Sequence, residues 1–399
     1  MNLPANLHAY RISIVVSHPI PYIIPLFRLM VKQKWDFQVV YCSLEGAKSY
    51  RDRDFATEVT WDVPLLEGYP WISVPNLSPK PGLNRFFGLV NPKLIQVVKE
   101  SDVIIVYAGY AYASFWLTVL AAKLQGKGFI FSTDTSRLSS RSGESWKAKI
   151  KPLLLPKIYN LGDAILVSTQ FGKDAIADLG VPEDRIFITP FVADNDWWLA
   201  KAAEVDRAKV RQDWHIPDEA TILVFCAKLQ PWKRPQDILE AFAKADVNNS
   251  YLLYVGEGAM RSQLEARVRE LELGDRVRFL GFLNQTQLPA VYKAADLLCL
   301  CSEYEPFGVV VNEAMLCECG VIVSDRVGAR ALVEPEKTGF MYPWGDIDKL
   351  CAILRSIIPQ KDKLKQMGKN AKKRMETWSP KENIQAQERA INRVMSNKL

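Results

Sequence analysis

The sequence is poor in histidine: its 399 residues contain only His8, His18 and His215, which lie far apart along the chain. A histidine-based metal cluster is therefore not expected. The seven cysteines are scattered and include no paired Cys-x-x-Cys array. An odd, scattered set fits a reducing compartment better than a disulfide framework, so we interpret most of these cysteines as small core residues.

The sequence also lacks a run of eighteen uncharged apolar residues, as a transmembrane helix would require. No charged leader with a cleavage site is recognisable, because Ile12–Ser17 has the pattern of a buried first strand. We expect a cytoplasmic protein, with attachment to the inner face of the plasma membrane as an option. The net charge of +6 is small. It suits a phosphate-bearing or anionic partner, and no nucleic-acid partner is expected.

Short apolar runs alternate with helical patterns along most of the chain, which is typical of parallel sheets covered by helices. The length exceeds one ordinary core, and a polar, charged stretch over 196–219 interrupts the alternation as a linker with a helix. We predict an α/β protein with two Rossmann-like, doubly wound parallel-sheet domains facing an inter-domain cleft. The predicted boundaries are 1–195 and 196–375, followed by a C-terminal helix over 376–399.

The most informative segment runs from Glu305 to Glu313, after the apolar strand Leu297–Cys301 and before a helix that we expect to end at Gly320. A helix N-terminus carries unpaired N–H groups and a partial positive charge, and glycine allows close backbone approach. We therefore predict a phosphate cradle made by the amides of three residues: Phe307, Gly308 and Val309.

Glu305 and Glu313 could accept hydrogen bonds from sugar or ribose hydroxyls. In the alternative interpretation, Glu305 only favours the helix dipole and Glu313 is a solvated helix residue. The segment alone does not separate the two interpretations.

Two further clusters follow predicted strands. Lys228 and Lys233 lie in a strand-to-helix loop, where ammonium groups can neutralise a diphosphate leaving group. Gly256 and Gly258 form a glycine-rich turn, and Arg261 opens the next helix. The third glycine of a dinucleotide fingerprint is missing, which argues against a dehydrogenase.

These clusters, together with Phe279–Leu283 and Asp325–Gly328, occur in an order and spacing that resembles the retaining glycosyltransferase family four, of GT-B type (glycosyl transferases group 1). The resemblance covers about residues 221–347. It implies that Lys228 and Lys233 contact the donor diphosphate, and that the amides after Phe307 hold phosphate.

The resemblance also implies roles for the remaining donor-side residues. Glu305 would lie near the transferred sugar and Glu313 would bind ribose hydroxyls. The glycine-rich turn, with Arg261, would border the nucleotide, and the strand end with Leu280 and Phe282 would hold the base. In relatives the final helix crosses back to the N-terminal domain and the two domains close over the donor.

Such enzymes retain anomeric configuration without a metal, so we expect no cofactor beyond the nucleoside-diphosphate sugar, a UDP or GDP sugar. Asp52–Asp54 has the spelling of a metal-binding Asp-x-Asp motif, but it lies in a polar loop with no strand before it, and we assign it no metal.

The acceptor side resembles the family less closely. Many relatives carry a histidine at the end of a middle strand, whereas Val106–Tyr110 contains none. His18 and Asp134 are candidate residues to orient or deprotonate the acceptor hydroxyl. The alternatives are a hydrogen-bonded loop histidine for His18, and a helix N-cap or turn residue for Asp134.

Six basic residues and one acidic residue lie between Arg137 and Lys157. This stretch could contact an anionic membrane or a lipid-phosphate acceptor, or it could simply be a solvated face.

The resulting hypothesis is transfer of a hexose-type sugar to a hydroxyl-bearing saccharide or lipid-linked acceptor, in synthesis of a cell-surface polysaccharide, lipopolysaccharide or glycolipid. The alternatives are a sugar-nucleotide-binding or scaffold protein with weak turnover, and a GT-B-related epimerase.

Overall fold

The computed structural model describes residues 9–47, 50–52, 57–133 and 146–398. Contacts between residues divide the chain into two units. Unit 1 comprises Met1–Lys48, Pro64–Phe191 and Pro380–Leu399, and unit 2 comprises Ser49–Val63 and Val192–Ser379. The short segment Ser49–Val63 thus belongs to unit 2, although the sequence placed it within the N-terminal domain.

Fifteen strands are described, in chain order β1 (Ile12–Val16), β2 (Phe37–Tyr41), β3 (Tyr50–Asp52), β4 (Thr57–Val59), β5 (Trp71–Ser73), β6 (Val103–Val106), β7 (Gly128–Thr133), β8 (Ala164–Val167), β9 (Ile186–Ile188), β10 (Thr221–Cys226), β11 (Ser250–Val255), β12 (Val277–Gly281), β13 (Leu297–Leu300), β14 (Gly320–Ser324) and β15 (Gly339–Tyr342).

The described α-helices are α1 (Ile24–Lys32), α2 (Leu94–Lys99), α3 (Ala113–Leu124), α4 (Trp146–Tyr159), α5 (Gln170–Ala177), α6 (Asn195–Ala203), α7 (Arg207–Asp213), α8 (Pro235–Ala245), α9 (Arg261–Glu270), α10 (Leu288–Ala294), α11 (Val310–Leu316), α12 (Ile347–Ile357), α13 (Lys361–Arg374) and α14 (Pro380–Ser396).

Unit 1 is built on a seven-stranded sheet in the order β5-β2-β1-β6-β7-β8-β9. Neighbouring strands are parallel throughout, for example Ile12 opposite Phe37 on one side of β1 and Val103 on the other. All residues of β1, β6 and β8 are buried, as expected for strands covered by helices on both faces.

The last helix of the chain, α14, belongs to unit 1 and contacts α1, β7, β8 and β9. Ile384, Ile391 and Val394 on α14 are buried. At the start of the helix, the side-chain Nδ2 of Asn383 donates to the carbonyl of Pro190 at 2.7 Å. A Cβ on Gly128 would lie 2.9 Å from Val394, so the close packing of α14 on β7 needs the glycine.

Unit 2 contains a six-stranded parallel sheet in the order β12-β11-β10-β13-β14-β15, and a separate antiparallel pair, β3-β4. Every residue of the central strand β10 is buried. In a parallel sheet the carboxyl ends of the strands lie at one edge, and ligands of such sheets bind there. The loops that follow β10 to β14 therefore share one edge of this sheet.

Three element predictions for unit 2 were wrong. Asp52, predicted to lie in a polar loop with no strand before it, ends β3 and pairs with Thr57 of β4. The helix after Glu305 ends at Leu316, and Gly320 instead opens β14, where an added Cβ would lie 2.9 Å from the sulfur of Met367. The chain turns out of α11 at Glu318, which adopts a φ of 62°. The stretch 196–219, predicted as a linker with one helix, contains α6 and α7.

Within the described residues, no helix combines the length and apolar character needed to cross a bilayer.

Candidate functional site

The loop after β10 holds Lys233 at the end of a short 3-10 turn, Pro231–Lys233. The Lys233 amide donates to the carbonyl of Gln230 at 2.9 Å, which fixes the turn. Its ammonium group forms an ion pair with the carboxylate of Glu305. The two side chains are only 15% and 13% exposed, so water screens this pair weakly.

Glu305 lies in the loop after β13, and the loop after β14 holds it in place. The Gly328 amide donates to the Glu305 carbonyl at 3.0 Å, and the Ala329 amide donates to the Phe307 carbonyl at 2.7 Å. An added Cβ on Gly328 would lie 2.0 Å from the Pro306 carbonyl oxygen, so only glycine fits there. The Asp325–Gly328 motif therefore supports the Glu305 loop, a role that the sequence did not reveal.

The predicted phosphate cradle lies between Glu305 and α11. Phe307 is buried, with its ring stacked on Trp378 at 6.4 Å between centroids, so its side chain packs into the protein. Gly308 has a φ of 96°, a conformation that favours glycine, and α11 begins at Val310 after Val309. The Val311 amide donates to the Gly308 carbonyl at 3.0 Å, which closes the turn at the start of this helix.

Glu313 is the fourth residue of α11 and only 8% exposed. The hydroxyl of Tyr292, on α10, donates to its Oε2 at 3.2 Å. Burial raises the pKa of Glu313 to about 7. The interpretation of Glu313 as a solvated helix residue is therefore wrong, because this carboxyl group lies in a low-dielectric environment. At neutral pH its protonated and ionised forms are present in similar amounts.

The glycine-rich turn follows β11 and packs between two neighbouring loops. The Leu229 amide donates to the Glu257 carbonyl at 2.9 Å, and the Gly256 amide donates to the Gly281 carbonyl at 2.8 Å. Gly256 has a φ of 130°, and an added Cβ would lie 2.1 Å from the carbonyl oxygen of Ala227. The turn thus joins the loop after β10 to the end of β12.

Arg261 opens α9 beside this turn. Its guanidinium group pairs with Glu257 and, at 2.9 Å, with Glu265, and lies 5.8 Å from the ring centroid of Phe279. Two carboxylates therefore already balance its charge. The other predicted residues of this edge are partly buried: Lys228, Leu280 and Phe282, the last two at the end of β12.

The predicted donor-side residues of unit 2 thus come together in the loops at the carboxyl ends of neighbouring strands. The sheet order places β12, β11, β10, β13 and β14 side by side. A cationic group, two buried or nearly buried carboxyl groups and a helix start share this edge, and such a set can bind a hydroxylated, phosphate-bearing ligand.

In unit 1, His18 lies two residues after β1 and is half-buried. Its Nδ1 is 2.9 Å from the hydroxyl oxygen of Ser17, and burial lowers its pKa to about 4. The ring is therefore neutral at pH 7. The other candidate, Asp134, lies outside the described residues, as do His8 and Arg137–Ser145 of the basic stretch.

Two other sequence interpretations concern metal binding. His215 is exposed after α7, and Arg53 and Asp54 of the Asp-x-Asp spelling lie outside the described residues. Among the residues that are described, no group of three or more His, Cys, Asp or Glu side chains assembles into a metal site.

The C-terminal part of the chain also matches a known family. Residues 206–374 match the family described as "Glycosyl transferases group 1". This segment of the chain is similar to the group 1 glycosyltransferases. The match includes every predicted donor-side residue of unit 2. It agrees with the group 1 family predicted from the sequence, and the retaining family-four assignment stays a prediction.

Curated relatives support the same family. An uncharacterized glycosyltransferase of Methanocaldococcus jannaschii is 28% identical over 54% of this chain and 55% of its own length. The 2-deoxystreptamine glucosyltransferase of Streptomyces kanamyceticus is 32% identical over 49% of this chain and 52% of its own length. The chain thus spans about half the length of the curated relatives that it matches.

Solved structures extend the likeness in fold to nearly the whole chain. The Anabaena protein HepE, crystallised with UDP and glucose, matches with a TM-score of 0.71 at 20% identity, covering 97% of this chain and 100% of its own. The predicted fold class, two α/β domains with parallel sheets of the GT-B type, is confirmed.

Proposed function

We propose that this protein is a retaining glycosyltransferase that moves a hexose-type sugar from a nucleoside-diphosphate sugar to a hydroxyl acceptor. The observation that carries the proposal is the shared edge of the unit 2 sheet, where Lys233 pairs with Glu305 and the buried Glu313 follows in α11. This edge lies inside the segment that matches the group 1 glycosyltransferases.

In the proposed reaction the bond between the anomeric carbon and the diphosphate oxygen breaks, a bond from that carbon to the acceptor oxygen forms, and the proton of the acceptor hydroxyl passes to the leaving diphosphate. Negative charge grows on the leaving diphosphate, where Lys233, Lys228 and the amides of Gly308 and Val309 just before α11 can stabilise it. These groups would take the place of a metal ion, so we propose that the protein needs neither a metal nor another cofactor.

The pair between Lys233 and Glu305 suggests how the donor enters. A bound diphosphate would compete with Glu305 for the Lys233 ammonium group. Once released from Lys233, the carboxylate of Glu305 can accept hydrogen bonds from hydroxyls of the transferred sugar. We propose that Glu313, buried in α11, accepts hydrogen bonds from the ribose.

We propose a UDP or GDP sugar as the donor. HepE, a structural neighbour, was crystallised with UDP and glucose, and 2-deoxystreptamine glucosyltransferase is a curated relative. The end of β12, with Leu280 and Phe282, would hold the base, and the turn at Gly256 and Gly258 would border the nucleotide.

On the acceptor side we propose a hydroxyl-bearing saccharide or a lipid-linked sugar, used on the cytoplasmic side in synthesis of a polysaccharide, lipopolysaccharide or glycolipid. His18 is neutral at pH 7 and can orient the acceptor hydroxyl or accept its hydrogen bond. Asp134 stays a second candidate.

A panel of UDP, GDP and ADP sugars, incubated with soluble and lipid-linked acceptors, tests the proposal. Mass spectrometry of the products is expected to show a hexose added from one donor. NMR of the product is expected to show the anomeric configuration of the donor. A product with inverted anomeric configuration would contradict the retaining assignment. The absence of both transfer and donor hydrolysis would contradict the proposal that the protein is an enzyme.

A second candidate is a sugar-nucleotide-binding protein without turnover. It is favoured by the lack of a histidine in Val106–Tyr110 and by the low pKa of His18, which makes it a weak base. Binding of one donor with neither hydrolysis nor transfer would support it.

A further inference from the structure

A loop of unit 1, Asn76–Val90, exposes three large apolar side chains. It follows β5 and leads towards α2. Leu77 and Phe87 are each 66% exposed and Phe86 is 44% exposed. The two phenylalanine rings lie edge to face, with 4.9 Å between their centroids. Neighbouring exposed side chains of this size and type in a well-packed domain indicate a surface that binds something.

Hydrogen bonds across its base hold this loop in one conformation. The Leu77 amide donates to the Val90 carbonyl at 2.8 Å, and the Asn76 side chain bridges to Gly88 and Val90 at 2.8 and 2.9 Å. The Ser78 hydroxyl donates to the Phe87 carbonyl at 2.5 Å. The aromatic pair is therefore presented without a further loss of backbone entropy on binding.

A side contact fixes the loop to the body of unit 1. The hydroxyl of Tyr112, just before α3, donates to the Leu83 carbonyl at 2.7 Å.

The charged side chains within the loop are all basic. Residues 68–99 contain no Asp or Glu, and 103–133 contain none either. Lys80 and Arg85 within the loop are exposed, as are Lys93 and Lys99 beyond it. The exposed apolar side chains thus share the loop with two cations, which complement an anionic surface, although the Glu45 carboxylate lies near the Tyr112 hydroxyl that contacts the loop.

The shape of this surface favours a bilayer over a protein partner. A stable protein interface needs about 800 Å² from each partner, with a broad complementary face. Three exposed side chains on one loop instead suit insertion to a depth of about 5–10 Å at a lipid interface. A second copy of this chain would bring the same positive charges into contact, which is unfavourable.

We propose that the loop Asn76–Val90 docks unit 1 onto anionic phospholipid bilayers, with Phe86, Phe87 and Leu77 entering the headgroup region and Lys80 and Arg85 contacting lipid phosphates. This surface is distinct from the basic stretch Arg137–Lys157 considered from sequence. Membrane binding by this loop needs no nucleotide sugar, so its test does not depend on the proposed function.

Co-sedimentation of the full chain with vesicles of phosphatidylcholine and phosphatidylglycerol in equal parts tests the proposal. The double variant Phe86→Ser with Phe87→Ser is expected to bind at least about tenfold more weakly, because two exposed rings no longer leave water. Lys80→Glu with Arg85→Glu is expected to lose binding to these vesicles as well. The matched control, Lys365→Glu with Lys369→Glu, makes the same change in net charge at exposed positions of α13 in unit 2 and is expected to bind like the parent.

If the Phe86→Ser, Phe87→Ser variant binds the vesicles as well as the parent does, the proposal is overturned. It is also overturned if the charge variants of the loop and of α13 lose vesicle binding equally. A dimer of the parent that dissociates in the phenylalanine variant, without vesicle binding by the parent, would overturn it in favour of a second copy. Unchanged thermal unfolding and donor hydrolysis in the variants would show that a loss of vesicle binding is not a folding defect.

Discussion

At the scale of single residues, the buried carboxyl group of Glu313 links the candidate site to pH. Its pKa rises from 4.5 to about 7 because burial disfavours the charged form. Below pH 4.5 this carboxyl group is protonated in both the folded and the unfolded chain, so its ionisation does not change the free energy of unfolding. As the pH rises towards 7, the unfolded chain loses the proton first, so the folded state loses stability; the loss is complete above about pH 7.

Replacement of Glu313 by Gln is expected to remove this loss and keep an acceptor for the Tyr292 hydroxyl. The free energy of unfolding of Glu313→Gln relative to the parent should rise by up to about 3 kcal/mol between pH 4.5 and pH 8, measured by urea unfolding of both proteins.

Glu318 provides a control of opposite sign, since Lys372 and Lys293 lower its pKa to about 2. Glu318→Gln should be less stable than the parent at pH 7, and the difference should shrink as the pH falls from 4.5 through about 2. A stability difference for Glu313→Gln that does not change with pH would contradict the buried, ionisable carboxyl group.

Replacement of Lys233 by Ala is expected to lower kcat/KM for donor hydrolysis by about 100-fold, because one charge that stabilises the leaving diphosphate is lost. Lys244→Ala, at an exposed position of α8, should keep the parental value.

The Lys233→Ala variant also leaves Glu305 without its partner, so a folding defect must be separated from a catalytic one. The double variant Lys233→Met with Glu305→Gln removes both charges and is expected to be as stable as the parent yet remain inactive. Parental turnover in Lys233→Ala would refute the role given to Lys233.

The sequence indicated the residue types of this site through their spacing, but not their environment. Lys233 and Glu305 are 72 residues apart, and only the adjacency of β10 and β13 brings them into contact. Likewise, burial of Glu313 depends on how α11 packs beside α10, which local pattern does not specify.

At the scale of elements, the glycine-rich turn is a test of local geometry. Gly256→Ala places a Cβ 2.1 Å from the Ala227 carbonyl oxygen in a backbone conformation with a φ of 130°. We expect a loss of about 1–3 kcal/mol in the free energy of unfolding, and weaker nucleotide binding, because the loop after β10 must shift. Gly274→Ala, where a Cβ meets nothing within 4 Å, should match the parent in urea unfolding and calorimetry. Equal behaviour of the two variants would contradict the close approach.

Helix α7 shows what the sequence did not reveal at this scale. Arg211 is 1% exposed and donates to the carbonyls of Ala294, Asp218 and Ala220 at 2.6 to 3.0 Å, and to the carboxylate of Asp296 at 2.9 Å. The surrounding stretch is rich in charge, which suggested a linker. The buried side chain of Arg211 instead links α7 to the residues just before β13 through these hydrogen bonds.

Arg211→Met is therefore expected to lower the free energy of unfolding by about 3–5 kcal/mol, because it leaves buried acceptors without a donor. Arg269→Met, on the last turn of α9, serves as an exposed arginine control and should change stability little. Urea unfolding of both variants measures the difference, and a small loss for Arg211→Met would show that water replaces the guanidinium group.

At the scale of the whole molecule, the alternation of apolar runs and helical patterns was enough to predict two parallel α/β sheets. It did not assign Ser49–Val63 to unit 2, because that short segment has no periodic pattern long enough to indicate its partners. Nor did it identify the loop Asn76–Val90 as an exposed apolar surface, since adjacent phenylalanines in a sequence usually indicate core.

The contacts of α14 give a test at this scale. Truncation after Ser379 removes α14 from β7, β8 and β9 and exposes the core that Ile384, Ile391 and Val394 cover. Hydrogen exchange is expected to quicken in those three strands and to stay slow in β10, β11 and β13 of unit 2. Unchanged protection of β7 to β9 would contradict the assignment of α14 to unit 1.

The central claim is that the edge of the unit 2 sheet between Lys233 and Glu313 binds a nucleoside diphosphate. Calorimetric titration of the parent, Lys233→Ala, Glu313→Ala and Lys244→Ala with UDP, GDP and ADP measures this directly. The account predicts that one nucleotide binds the parent and Lys244→Ala equally, and binds Lys233→Ala and Glu313→Ala at least about tenfold more weakly. Failure of all three nucleotides to bind the parent, or equal binding to all four proteins, would contradict it.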